Sequence, residues 1–223
     1  DSSVESILAA MDQPTIDGVN TYFVAKAAKA TGLKVAISGL GGDELFGGYN
    51  TFKDVPSLVN KVSKIPGHQL IGKVIRTVFS SAAGSVVAPT IAGAIELGGS
   101  FGGAYLLRRG LFMPWELPKI IDPDLVREGL SILCPVEKLN ESCDSIKEPL
   151  RKLALLETIF YMRNQLLRDA DWAGMSQSVE IRLPLVDSFL FETLAPVLLR
   201  SAGASKLGLS MMPSHALPKA IIE

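Results

Sequence analysis

The chain has 223 residues, 22 Lys+Arg against 23 Asp+Glu, and a formal net charge of −1. At 48% hydrophobic and 20% charged it has the composition of a folded globular protein, without the basic excess that nucleic-acid binding needs to neutralise phosphates. Two histidines (His68, His215) and two cysteines (Cys134, Cys143) leave no disulfide framework and no zinc-type cluster, and they favour a reducing, cytoplasmic setting.

Residues 1–18 have no basic region and no apolar core, so they do not read as a signal peptide. The chain opens on an acidic residue without Met, which suggests an internal fragment. Residues 17–30 place Val19, Tyr22, Phe23 and Lys26 at helical spacing, with Gly32 as the C-terminal cap of an amphipathic helix. Residues 34–38 (KVAIS) form a short apolar run of the kind found in buried parallel strands. Five glycines follow in ten residues, 39–48 (GLGGDELFGG). Helix, strand and glycine loop in that order make an α/β unit whose ligand sits beyond the carboxyl end of the strand.

Residues 50–83 read as short helices broken by Pro56, Pro66 and Gly67, and 84–104 as a tract of small residues. Residues 77–95 carry no charge over the length of a membrane span. They are mostly Ala, Gly and Ser with Pro89 inside, so a helical region of the fold is expected rather than a membrane segment. Residues 104–133 predict three helices, separated at Pro114 and at the Asp122-Pro123 turn. From 148 to 171, Leu150, Leu153, Leu156, Ile159, Met162, Leu166 and Leu167 lie on one helical face. A loop from 174 to 184 precedes a last helix over 188–199, and the tail from 201 carries Pro213 and Pro218. Strand-like runs are too few for a complete α/β sheet, so one core strand and at most one or two others are expected among many helices.

The bare backbone N–H groups of the glycine loop can approach phosphate oxygens that a Cβ would keep away. Asp43 and Glu44 would repel those phosphates unless a divalent cation stands between, and Mg²⁺ is the natural one. The alternative is a tight turn whose acids face solvent and cap the next helix. The loop is neither a Walker A sequence nor a dinucleotide fingerprint.

Taken whole, residues 38–49 (SGLGGDELFGGY) resemble the signature of the synthetase domain of glutamine-dependent asparagine synthetases. Residues 12–22 (DQPTIDGVNTY) resemble the bacterial branch of that family. Residues 167–171 (LRDAD), Met175-Ser176 and 178–187 (SVEIRLPLVD) are similar to its segment ending in Glu-x-Arg-x-Pro-x-x-Asp. The resemblance implies an α-rich fragment of a Rossmann-like, adenine nucleotide alpha hydrolase-like α/β domain. It divides as 1–49 (helix, strand and glycine loop), 50–147 (a helical insertion without a matching motif) and 148–223 (a helical C-terminal part).

The resemblance also implies a chemistry. A carboxylate, aspartate or a related one, is activated by Mg-ATP as an acyl-adenylate, and ammonia from a glutaminase domain of the same parent chain displaces AMP. Carried over, Ser38, Gly39, Gly41 and Gly42 would contact the nucleotide and Asp43 would hold Mg²⁺. A homodimer is compatible with the family, and neither nucleic acid nor membrane is expected as a partner. Glu180 and Arg182 are better read as a pair that fixes a loop than as catalysts.

Three features depart from the family. The Ser-Gly-Gly-x-Asp-Ser loop is absent from the 223 residues, as are a glutaminase domain and the late Arg-Pro-Lys-x-Gly-Phe-like stretch, so the isolated chain is expected to be inactive. Leu40 occupies the position of the family glutamate and can act neither as base nor as hydrogen-bond acceptor. Asp17 lies near the place of an arginine suited to an acidic substrate, where it would repel a carboxylate by roughly 1 kcal/mol or more. An acceptor other than free aspartate, such as a surface polysaccharide, therefore stays open, as does a degenerate non-catalytic domain.

Overall fold

The computed structural model describes residues 2–15, 17–80 and 87–198, with positions 210, 213–215 and 218 of the tail. It is dominated by helices, as expected, with one two-stranded sheet among the described residues. Two compact units divide the chain: residues 1–48 with 157–223, and residues 49–156.

In the first unit α1 (Ser2–Ala10) and α2 (Asp17–Ala30) lead into β1 (Val35–Ile37), which a glycine loop joins to the short α3 (Gly42–Phe46). Helix α2 ends where its composition says it should: Gly32 adopts φ +82, and the amide of Leu33 reaches back to the carbonyl of Ala28. The inward residues of α2 are Gly18, Tyr22 and Ala25, whereas Phe23 is exposed. Tyr22 stacks on Trp172 at 6.4 Å, and Ile7, Tyr22, Trp172 and Ala173 form one core cluster.

The strand expected at 34–38 exists and is parallel, paired with β2 (Glu180–Arg182) in the register Val35↔Glu180, Ala36↔Ile181, Ile37↔Arg182. It is not a buried core strand. Val35 is 40% and Ile37 78% exposed, because β2 covers one edge, while α2 and the helix over Leu167–Ser176 flank only the face that carries Ala36 and Ile181. The second strand lies in the segment expected to be only a loop. Its composition is mixed, and Glu180 and Arg182 point to the same exposed face as Val35 and Ile37.

The second unit contains α4 (Thr51–Val62), α5 (His68–Ser80), α6 (Val87–Leu97), α7 (Phe101–Arg109), α8 (Pro123–Leu133), α9 (Pro135–Cys143) and α10 (Pro149–Leu156). Helix α7 starts at Ser100, whose side chain accepts the Gly103 amide. Helix α8 starts at the expected Asp-Pro turn, with the Asp122 carboxylate accepting the amides of Asp124 and Leu125. Helices α5 and α6 are tied by the Arg76–Glu96 pair at 2.7 and 3.0 Å, with Arg76 over the Trp115 ring. The uncharged tract thus contributes residues 77–80 to α5 and 87–95 to α6, while 81–86 lie outside the described residues. No described helix is long and apolar enough to cross a membrane.

The long periodic segment is helical throughout, but in three registers. Helix α10 is followed by a π-helix (Glu157–Leu166) and then α11 (Leu167–Ser176). Leu153, Leu156 and Met162 are buried as expected, whereas Leu150 is exposed. Helix α12 (Ser188–Leu198) ends the continuously described residues, capped by the Asp187 carboxylate on the amide of Leu190. The expected end at 199 lies outside the described residues.

Candidate active site

The glycine loop leaves the carboxyl end of β1 and enters α3. Its entry is held from both sides. The Ser38 amide donates to the carbonyl of Arg182 at 2.9 Å, prolonging the parallel ladder, and the Ser38 hydroxyl accepts the amide of Leu40 at 3.3 Å. Gly41 then turns with φ +94, a backbone conformation that L side chains avoid. A Cβ there would stand 2.8 Å from Val186 Cγ2 and 3.1 Å from the Leu185 carbonyl oxygen, and one on Gly42 would meet Leu185 Cδ1 at 3.2 Å. Gly47, with φ +63, ends the helix by returning its amide to the Asp43 carbonyl.

The glycines therefore have different jobs. Gly41 and Gly42 are glycines because the 183–187 turn packs against them, whereas Gly39 faces open space. The structure brings Ser38, Gly39, Gly41, Gly42 and Asp43 together at the carboxyl end of the parallel strand pair. Asp43 is half-buried. Glu44 is 1% exposed and points into the protein with Leu45 and Phe46. A turn with two solvent-facing acids is thus not what forms, because α3 is short and buries the face that carries Glu44.

Among the described residues no three His, Cys, Asp or Glu are grouped to hold a metal by themselves. A single half-buried carboxylate beside an open backbone fits Mg²⁺ in the way that ion usually binds, through one or two carboxylates with substrate phosphates completing the shell.

Leu40 lines a cleft of about 300 Å³ with Val24, Ala28, Ile37 and Ser38. Asp17 stands at the first turn of α2, and its Oδ2 accepts from the Tyr161 hydroxyl at 2.8 Å and from Gln165 Nε2 at 2.9 Å. This carboxylate ties α2 to the π-helix (Glu157–Leu166). Glu180 and Arg182 pair with each other at 3.0 Å on the exposed face of β2. Such a pair contributes little to stability.

A polar cluster without a counterpart among the expected site residues ties the 12–22 segment to the 167–171 segment. Asp169, 1% exposed, accepts from Thr15 Oγ1 at 2.6 Å and from Trp172 Nε1 at 3.0 Å. Gly18 lets α2 approach so closely that a Cβ would come into hard contact with Trp172. Arg168 pairs with Asp12 at 2.6 Å, and Gln13 Nε2 donates to the carbonyl of Asn164 at 2.7 Å. The signal available in sequence was Asp169 two residues from Asp171, with a tryptophan following. A buried acid next to an indole N–H is a common satisfied pair.

The family model for asparagine synthase matches residues 2–223. "Asparagine synthetase (glutamine-hydrolyzing) 1" of Bacillus subtilis (strain 168) is 28% identical over 198 residues, covering 83% of this chain and 28% of that protein. A "Putative asparagine synthetase (glutamine-hydrolyzing)" of Mycobacterium bovis is 27% identical over 194 residues, covering 85% of this chain and 28% of its own length. The protein of the same description from Mycobacterium tuberculosis (strain ATCC 25618 / H37Rv) matches equally. No solved structure matches the chain. The chain thus spans little more than a quarter of the length of these relatives, and over nearly all of its own length it belongs to the asparagine synthase family.

Proposed function

We propose that these residues form part of an ATP-dependent synthetase domain that activates a carboxylate as an acyl-adenylate for attack by ammonia. The observation that carries the reading is the glycine loop at the carboxyl end of a parallel pair, clamped by the 183–187 turn, with Gly39 facing open space and Asp43 half-buried beside it. In this reading Ser38 and Gly39 bind the nucleotide, and the loop's shape is fixed before the ligand arrives. Asp43 holds Mg²⁺, which when bound neutralises charge on the departing pyrophosphate. Gly41 and Gly42 belong to the same site through the turn they permit rather than through open contact with ligand. Ammonia comes from a glutaminase domain elsewhere in the complete enzyme, which acts in the cytoplasm and is compatible with a homodimer.

Leu40 argues for an acceptor other than free aspartate. An isobutyl side chain in the cleft cannot accept a proton or bind an ammonium group. A carboxylate with a less polar body, or one carried on a polysaccharide, suits that wall better. The competing reading is a degenerate domain that keeps the fold for nucleotide binding alone.

The direct test compares pyrophosphate release by the 223-residue chain with that by the complete enzyme, using ATP, Mg²⁺, ammonia and a panel of carboxylates that includes aspartate. We expect release by the complete enzyme and none by the isolated chain. Comparable turnover by the isolated chain would overturn the claim that the site is shared with other sequence. No release by the complete enzyme with any carboxylate would favour the degenerate domain.

A further inference from the structure

Helix α5 turns one face to its neighbours and the other to solvent. Gly72 lies so close to Glu96 of α6 that no Cβ fits between them, and Arg76 pairs with Glu96 beneath the ring of Trp115. His68 Nδ1 lies 3.0 Å from the carbonyl oxygen of Ile95. These contacts fix the inward face. On the outward face Leu70, Val74 and Val78 follow one another at every fourth residue and are 68%, 53% and 62% exposed. Ile71 stands beside them, also exposed. Lys73 and Thr77 run along the opposite flank of that aliphatic stripe, both in solvent.

The charge around the stripe has one sign. The whole chain is balanced, with 22 Lys+Arg against 23 Asp+Glu, yet residues 55–95 carry Lys61, Lys64, Lys73 and Arg76 and no acidic residue. Arg76 is taken up by Glu96, just beyond that stretch. The three lysines are exposed, and none has an acidic partner among the described residues. Lys61 stands in the last turn of α4, Lys64 in the turn that leads into α5, and Lys73 on α5 itself. A contiguous apolar patch rimmed by polar residues marks an interaction surface. Protein interfaces centre on Trp, Tyr or Arg, and this stripe presents none of them. Aliphatic side chains flanked by lysines match instead a helix lying in a bilayer interface, where the apolar groups dip among acyl chains and the ammonium heads reach anionic headgroups. The uncharged tract begins on this same helix and continues into α6, where Ile91 is exposed.

We infer that the outward face of α5 is a peripheral docking surface for bilayers that carry anionic lipid. The weak hydropathy of residues 77–95 argues against a membrane span, and no described helix is long and apolar enough to be one. A contact that lies on the bilayer needs only one apolar stripe, so the same facts leave it open, against the expectation that no membrane takes part. Leu70, Ile71, Val74 and Val78 enter the headgroup boundary. Lys61, Lys64 and Lys73 draw the protein to the negative surface, each adding about fivefold in affinity. The inference rests on α5 and its charges and not on the proposed chemistry.

The test is co-sedimentation of the complete enzyme with vesicles. Vesicles of equal parts phosphatidylcholine and phosphatidylglycerol should carry the enzyme down, and vesicles of phosphatidylcholine alone should not. Lys73→Gln should weaken binding by about fivefold, and the triple variant Lys61→Gln/Lys64→Gln/Lys73→Gln by about 10²-fold. Leu70→Ser/Val74→Ser should abolish it. All these positions are exposed, and circular dichroism checks each fold. If the stripe variant does not fold, the lysine variants decide. An environment-sensitive dye on Val74→Cys, in a Cys134→Ser background and with the enzyme lacking the added cysteine as blank, should shift to the blue when anionic vesicles are added. Failure of the folded enzyme to bind anionic vesicles would overturn the inference. So would binding that the lysine and stripe variants leave unchanged, which would place the contact elsewhere. A dye already shielded without vesicles would overturn it as well. Shielding that grows with protein concentration would assign the face to a second copy, and shielding independent of concentration to other sequence of the same enzyme.

Discussion

Substituting Gly41 by alanine separates the two reasons for a glycine there. The position needs φ +94, and it needs the space that a Cβ would share with Val186 Cγ2 at 2.8 Å and the Leu185 carbonyl at 3.1 Å. Holding an alanine in a left-handed conformation costs about 1–2 kcal/mol. Forcing a methyl group into an occupied contact adds about 1–3 kcal/mol, since the carbonyl is backbone and cannot swing aside. Gly32 is the control: it has φ +82 with nothing within 4 Å of where a Cβ would stand, so Gly32→Ala should show the conformational part alone. Urea unfolding followed by Trp172 fluorescence, in a Trp115→Phe background that leaves one tryptophan, reads the unit containing both glycines. Gly41→Ala should lower stability by about 2–5 kcal/mol and Gly32→Ala by about 1–2 kcal/mol. Adding Val186→Ala to Gly41→Ala should return part of the difference, because it removes the nearer obstacle. Equal costs for Gly41→Ala and Gly32→Ala would refute the claim that the 183–187 turn clamps the loop.

Two further perturbations follow from the same geometry. Asp169→Ala strands the Trp172 indole N–H and the Thr15 hydroxyl, at about 1–3 kcal/mol per buried group left unsatisfied. Thermal unfolding should show a clear loss, and a change near zero would remove Asp169 from the framework. Burial raises the pKa of the Cys143 thiol, only partly offset by Lys152, so the folded chain favours the neutral thiol. As pH rises past the ordinary thiol range the unfolded state loses its proton first, so this contribution to stability falls with rising pH and is constant below that range. Cys143→Ala should flatten the alkaline decline measured by urea midpoints, and Cys134, the more exposed thiol, should react first with a thiol reagent in the folded chain. Equal reaction rates would contradict the burial of Cys143.

Much of the helical layout was legible, because caps and breakers act locally. Gly32, Asp122-Pro123 and Asp187 each end or begin a helix through a backbone angle or a hydrogen bond that the residue type itself provides. The glycine loop was legible for the same reason. Strand β2 was not, since Glu180-Ile181-Arg182 has no apolar run and becomes a strand only because β1, far away in the chain, offers it an edge in the register Val35↔Glu180. The exposure of Val35 and Ile37 was equally hidden. An apolar triplet states what a strand prefers to touch and not whether the partner is present. Asp17 shows the same limit at the site: its charge was visible, whereas Tyr161 and Gln165, which take it up, stand on a helix whose π register no local pattern announces.

The central claim is that Asp43 holds Mg²⁺ against the nucleotide's phosphates, and a Mg²⁺ titration of ATP–pyrophosphate exchange tests it most directly. It compares the complete enzyme with its Asp43→Asn variant. The amide keeps the shape of the carboxylate and removes the charge, and circular dichroism of the two proteins checks that the fold is kept. At limiting Mg²⁺ the exchange rate should fall by about 10²–10³, the usual cost of one lost transition-state charge contact, and rising Mg²⁺ should restore part of it. Identical Mg²⁺ curves for the two proteins would contradict the account and leave Asp43 as an acid of the turn alone.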